Sequence, residues 1–192
     1  GYLGGQAGAG AMLDVLIGWQ NPCGKLAETI PLNYTDTPAA AYYPGKRQNA
    51  EYREGLYVGY RYYETVDKVV RYPFGYGLSY TTFAYSDLKA TEKEATFTIA
   101  NTGEKDGAEI AQLYIAKPDA EIFCPAKELK GFAKVFLKAG ESKTVTIPLD
   151  DKAFRYWNVK TDRWEIEGGN YQILISASVQ DIRLEAEIAV QG

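Results

Sequence analysis

The 192 residues contain no histidine, and that one absence removes a block of chemistry. Without imidazole there is no Ser-His-Asp or Cys-His nucleophile, no histidine-ligated metal and no histidine proton shuttle. Cysteine is scarce as well. Cys23 and Cys124 sit in segments of different character, too few for a disulfide framework and without C-x-x-C spacing. No cluster of Lys and Arg is present. The excess of 25 acidic over 21 basic side chains argues against nucleic-acid binding, which needs basic residues gathered on one face. The most apolar stretch, Gly1 to Gly24, is interrupted by Asp14 and lacks a basic flank, so it reads as neither a signal peptide nor a membrane span. A soluble protein is expected, with its compartment, cytoplasmic or secreted, left open. Ala7 to Gly10 is Gly-rich but fits neither G-x-G-x-x-G nor P-loop spacing, so no nucleotide, and no other cofactor or metal, is implied. Gly stands first and the only Met is Met12, the pattern expected of a piece of a longer protein.

What is present is an ordinary globular composition, 46% hydrophobic and 24% charged, with unusually many tyrosines. Residues 6–17 (QAGAGAMLDVLI) predict a short helix, apolar over much of its surface, ending near Gly18. Asn21-Pro22-Cys23-Gly24 predicts a turn, followed by an extended run from Lys25 to Pro31. Helix, turn and strand together read as the tail of an α/β layer whose other strands lie elsewhere. From Leu32 to Tyr52 no period is visible, which marks a linker. Leu56 to Tyr63 (LYVGYRYY) has the composition of a strand, and Tyr72 to Tyr80 that of an aromatic, Gly-rich loop.

After Thr82 the period becomes two. Phe97 and Ile99 alternate with Thr96 and Thr98, and Val145, Ile147 and Leu149 with Thr144, Thr146 and Pro148. Ile173 and Ile175 follow the same rule, as do Ile182 to Val190. Such alternation buries one face of each strand, and about seven strands at this spacing predict a mainly β fold, a β-sandwich. The run Ile110 to Ile115 reads as the central strand, and Gly169-Asn170-Tyr171 as the place of a tyrosine corner.

Few groups invite a chemical reading. Asp87 has no partner acid nearby in sequence, and Glu128, between Lys127 and Lys130, reads as a salt-bridge residue. Tyr156, Trp157 and Trp164 in the hairpin Phe154 to Trp164 could stack on sugar rings. The favoured expectation is that at least one Trp fills the core, where its area contributes most. Asn33-Tyr34-Thr35 matches the glycosylation sequon.

Long motifs now combine. Asn21-Pro22-Cys23-Gly24-Lys25-Leu26 with Ile30-Pro31, Glu54 through Tyr63 (EGLYVGYRYY), Tyr72 through Phe83 (YPFGYGLSYTTF), Asn101-Thr102-Gly103, and Lys127 through Phe132 (KELKGF) followed by Gly140-Glu141 resemble the C-terminal region of family-3 glycoside hydrolases, the β-glucosidase family. The departure is Cys23, where that family usually has Ser. The resemblance implies a retaining glycosidase built from a barrel, an α/β sandwich and a fibronectin type III-like (immunoglobulin-like) β-sandwich. An aspartate from the barrel attacks the anomeric carbon, and an acid from the α/β domain protonates the leaving oxygen; the two carboxyls must lie about 5 to 5.5 Å apart. It further implies that residues 1–35 are the remnant of the α/β domain, 36–75 an interdomain linker, and 76–192 the fibronectin-like module. On that layout no catalytic residue falls in this chain, which is an accessory portion. Its expected partners are the barrel and α/β domains, with the parent enzyme's β-linked glycoside as substrate, and neither nucleic acid nor membrane. Tyr57, Tyr60, Arg61, Tyr62 and Tyr63 are the candidates for an interdomain or substrate-entrance surface, because large amphipathic side chains in a linker want a partner. A carbohydrate-binding module using Tyr156, Trp157 and Trp164, and a fibronectin-like adhesion domain, are the alternatives.

Overall fold

The computed structural model describes Tyr2, residues 4–45 and residues 48–192; the expected tail and linker each include positions outside these. Helix α1 (Gly8–Leu16) comes first, and none of its residues is buried. Of the extended run expected to end at Pro31, only β1 (Ile30–Pro31) forms a ladder, pairing antiparallel with β2 (Val70–Tyr72).

The expected strand over Leu56 to Tyr63 is instead a turn leading into helix α2 (Tyr60–Thr65). Its β-prone composition is overridden by Gly59, whose φ of 59° turns the chain out of the extended region. Residues 60 and 63 then fall on one face, as i and i+3 do in a helix. Tyr63 is buried and Tyr60 packs against Phe74 and Tyr114, so tertiary burial decides the helix where local propensity favoured a strand.

Seven strands build the sandwich. A three-stranded sheet has the order β3-β4-β7, from Phe83–Ala90, Glu94–Asn101 and Ser142–Pro148. The facing sheet has the order β11-β10-β5-β6, from Ile182–Val190, Gly169–Ser176, Gly107–Ala116 and Glu128–Leu137. All pairings are antiparallel. The alternating residues do what their period requires. Phe97 and Ile99 meet Leu113, Ile115, Ile173, Ile175, Val145 and Ile147 in one core, while Thr96 and Thr146 face outward with their hydroxyls 2.9 Å apart. The tyrosine corner is present: the Tyr171 hydroxyl donates to the Glu167 carbonyl at 2.7 Å. Burial first, and then the Glu167 charge, push the Tyr171 phenol up to about 12.

The central strand β5 is buried along both faces, because the sandwich carries a third layer. Residues Tyr60 and Phe74 of the linker cover Tyr114, Ala116, Leu174 and Val179 on the outer side of the four-stranded sheet. Gln112 fixes that layer in place. Its Nε2 donates to the carbonyls of Gly75 (3.1 Å) and Ala177 (2.9 Å), and its Oε1 accepts from the Tyr114 hydroxyl at 2.6 Å. The linker backbone approaches so closely that a Cβ on Gly75 would overlap the Gln112 amide.

The remaining hairpin, β8 (Arg155–Asn158) with β9 (Arg163–Ile166), places Trp157 directly opposite Trp164. Neither ring is in the core, contrary to expectation: they are 46% and 54% exposed. The core beneath is already filled by Ala153, Phe154, Tyr171 and Ile166. A two-stranded ribbon of four residues a side is marginal in water, and the indoles hold it by packing edge to face on each other, centroids 5.6 Å apart.

Candidate functional site

Two junctions tie the tail and the linker to the sandwich, and the sequence reading missed the first. In the Asn21-Pro22-Cys23-Gly24 turn the Asn21 amide uses its donor and its acceptor at once. Nδ2 donates to the Asp106 carbonyl at 2.9 Å, while Oδ1 accepts from the Ser79 hydroxyl (3.0 Å) and the Tyr80 N–H (2.8 Å). The Tyr80 hydroxyl in turn donates to the Val15 carbonyl at 2.8 Å, reaching α1. Just beyond the turn, Leu26 and the 75–76 segment exchange two backbone hydrogen bonds of 2.8 Å.

Lys25 completes this clasp. Its Nζ lies 3.0 Å from Oε1 of Glu109, a buried carboxylate on β5, and the Tyr85 hydroxyl donates to the same oxygen at 3.0 Å. Burial first, and then the Glu109 charge, raise the Tyr85 phenol well above its ordinary range, which keeps it a donor. The adjoining cleft, about 480 Å³, is lined by Cys23, Lys25, Tyr76, Tyr85, Glu109 and Arg183. Its charges are matched, Lys25 with Glu109 and Arg183 with Asp181 at 2.7 Å. Such a cleft holds a tail in place and offers no free carboxylate pair for acid-base work.

The tyrosine-rich linker forms the second junction. Arg61 Nε sits 3.1 Å from Glu128, which also receives Lys130 at 3.1 Å, so Glu128 is the salt-bridge residue it was read to be. The Tyr60 hydroxyl accepts the Leu129 N–H at 2.8 Å, and Glu64 pairs with Lys127 at 3.0 Å. Tyr57 packs on Phe123, ring centroids 5.0 Å apart, and its buried hydroxyl has no partner among the described residues. Tyr62 and Tyr63 meet edge to face. The candidate group therefore spends Tyr60 and Arg61 on the sandwich of the same chain, while Tyr63 is buried beside Tyr62. The large apolar side chains left exposed around it are Tyr52, Leu56, Val58, Val66 and Val69.

The third candidate group is divided by its own hairpin. Trp157 and Trp164 share one face, while Tyr156 lies on the other, its hydroxyl donating to Glu165 at 3.2 Å. Glu165 also accepts from Thr161 (2.6 Å), Arg163 (2.8 Å) and Asn158 (2.7 Å). These donors, Thr161 foremost, hold its carboxyl down at about 2. Asp87, at a bulge in β3 with φ of 60°, accepts from Ser86 at 2.6 Å; it lies in the three-stranded sheet and Glu128 in the other. Among the described residues there is no group of three Asp, Glu or Cys side chains suited to a metal ion, and no helix is long and apolar enough to cross a membrane.

A seven-stranded two-sheet sandwich with a tyrosine corner, clasped to a helix-turn-strand tail, defines a fibronectin type III-like module with an N-terminal extension. Sequence comparison agrees with both halves. Residues 1–80 match the glycosyl hydrolase family 3 C-terminal domain, and residues 109–179 the fibronectin type III-like domain. Over its whole length the chain matches the C-terminal region of glycosyl hydrolase family 3 proteins. It is 46% identical over 196 residues to an exo-α-(1→6)-L-arabinopyranosidase of Bifidobacterium breve, matching 100% of this chain and 26% of that protein. It is likewise 46% identical over 199 residues to the thermostable β-glucosidase B of Acetivibrio thermocellus, again 26% of the longer protein. Among solved structures, the family-3 β-glucosidase of Bifidobacterium adolescentis superposes with a TM-score of 0.91 at 46% identity, over 97% of this chain and 28% of that one. β-Glucosidase 3B of Thermotoga neapolitana, solved with glucose, gives 0.92 at 38% identity over 98% and 27%. The chain thus spans about a quarter of the length of the curated relatives it matches.

Proposed function

We propose that this chain is the accessory C-terminal portion of a retaining family-3 glycosidase that hydrolyses terminal β-D-glycosides, and that its task is to hold the sandwich at a fixed place on the catalytic domains. The observation that carries the reading is the clasp. Asn21 and Lys25, in a segment matched by the family-3 C-terminal domain, are bonded to Ser79, Tyr80, Asp106 and Glu109 on the sandwich side. The chemistry of retention needs two carboxyls flanking one bond, whereas Asp87 and Glu128 lie in different sheets, each already bonded to neighbours. The nucleophile and the acid therefore belong to the barrel and α/β portions. Residues 1–35 are assigned to the α/β layer, 36–75 to the interdomain linker, whose Tyr60 and Phe74 pack on the sandwich, and 76–192 to the sandwich domain. The relatives' names include both an arabinopyranosidase and β-glucosidases, so the sugar is selected outside this region.

The test is hydrolysis of an aryl β-D-glucoside by the full-length polypeptide and by the 192-residue chain. The first should turn over and the second should not; turnover by the chain alone refutes the assignment. A second reading, sugar stacking by Trp157 and Trp164, is favoured by the exposure of both indoles. Saturable binding of β-glucan oligosaccharides that is lost in a folded Trp157→Ala variant would establish it.

A further inference from the structure

We propose that the uncovered half of the outer face of the four-stranded sheet, together with Trp19, is the surface on which the catalytic portion of the same polypeptide docks. This rests on the preceding reading that the chain is part of a longer family-3 enzyme. Strand β6 lies at the edge of the sheet and turns Phe132, Lys134 and Phe136 outward. Phe132 is 67% and Phe136 54% exposed, and Trp19, on the tail opposite, is 76% exposed. Between them runs a groove of about 560 Å³ lined by Trp19, Asn21, Asp106, Ala108, Lys134 and Phe136. Trp19 and Phe136 line this groove and Phe132 continues the same exposed row of β6, so the apolar exposure is grouped rather than scattered, and such patches mark interaction sites.

The occupant follows from three observations. The other half of this sheet face is already a docking surface, covered by Tyr60 and Phe74 of the linker, so the bare half continues an interface the fold itself uses. The clasp fixes α1 and its exposed apolar residues Met12, Leu13, Leu16 and Ile17 on the same body as Trp19. A domain packing on α1 therefore meets the groove alongside. Finally, in the curated relatives about three quarters of the polypeptide lies outside the matched region, which supplies an occupant in every molecule. The segment that enters should bring an apolar side chain for the Trp19–Phe136 groove and a carboxylate for Lys134. The groove is thus an intramolecular seam, distinct from the Trp157–Trp164 hairpin.

Hydroxyl-radical footprinting of the full-length polypeptide against the 192-residue chain tests this, with β-glucoside hydrolysis measured in parallel. Trp19, Phe132 and Phe136 should oxidise at least about fivefold more slowly in the full-length protein, because the centre of an interface excludes water as an interior does. Trp157 and Trp164 should react equally in both. Equal rates at Trp19, Phe132 and Phe136 overturn the proposal. So does protection that appears in the 192-residue chain with rising concentration as it dimerises, which makes the groove a self-association site. If hydrolysis is present and the footprint unchanged, only the docking surface is wrong; if hydrolysis is absent, the glycosidase reading falls whatever the footprint.

Discussion

Replacing Lys25 by Met probes the clasp where it is most costly to break. Met keeps the apolar stem and removes the ammonium. The Glu109 side chain, 7% exposed, is then left with the Tyr85 hydroxyl as its hydrogen-bond partner at the oxygen Lys25 had held. Removing one member of a buried pair costs about 3 to 5 kcal/mol, because the surviving charge is uncompensated. The retained Tyr85 bond to a charged acceptor offsets about 1.5 of that, which leaves about 1.5 to 3.5 kcal/mol. For a chain of this length each kcal/mol moves Tm by about 2 to 4 °C, so Lys25→Met should melt about 3 to 14 °C lower. The compensating change is Glu109→Gln, which keeps an acceptor for Tyr85 and removes the orphaned charge. In the double variant most of the loss should be recovered, with an interaction energy of about 1 to 3 kcal/mol. Urea melts of the four proteins, followed by Trp fluorescence, give the cycle directly. A Lys25→Met variant within about 0.5 kcal/mol of the parent, the range of ordinary surface substitutions, would refute the view that this ion pair fastens the tail.

Three further outcomes are expected. Gly75→Ala adds a Cβ at φ of 77° against the Gln112 amide, and urea melts should show a loss of about 2 to 4 kcal/mol from backbone strain and displaced hydrogen bonds. Trp157→Ala and Trp164→Ala should each cost only about 0.5 to 1.5 kcal/mol, the worth of an aromatic pair, and not the 3 to 5 of a core Trp; circular dichroism should show the indole exciton signal gone while the sandwich melt persists. Because the Glu165 carboxyl is depressed to about 2, the stability it gives the hairpin is whole above the unfolded carboxylate range near 4.5. It should fade as pH falls through 2, so the exciton signal should titrate there, and Glu165→Gln should abolish that step.

The sandwich was legible because its signal is periodic. Val145, Ile147, Phe97, Ile99, Ile173 and Ile175 alternate in the sequence and meet in the core. What misled was composition without period. Leu56 to Tyr63 has strand-forming residues, yet Gly59 and the packing of Tyr60 against Phe74 and Tyr114 make it a turn and helix. The Trp pair was expected inside on the strength of its area, but Phe154 and Tyr171 already fill that position, and an isolated ribbon needs cross-strand packing of its own. The clasp was illegible for another reason. Asn21 and Lys25 meet partners 58 to 85 residues away, and nothing local distinguishes them from ordinary turn residues. The one available signal was Glu109 and Gln112, polar side chains just before and within the run Ile110 to Ile115 taken for a central strand, each needing a partner that the tail or linker supplies.

The third layer over β5 has a consequence for exchanging parts between enzymes of this family. A graft that takes only residues 76–192 would carry Tyr114, Leu174 and Val179 into water and leave the Gln112 amide without the Gly75 carbonyl. A recipient's own linker would have to bring an aromatic at position 60 and a Cβ-free residue at 75 to close that face. The transferable unit therefore begins upstream of Asn21, so that the asparagine, the lysine and the glycine travel with the strands they were shaped against.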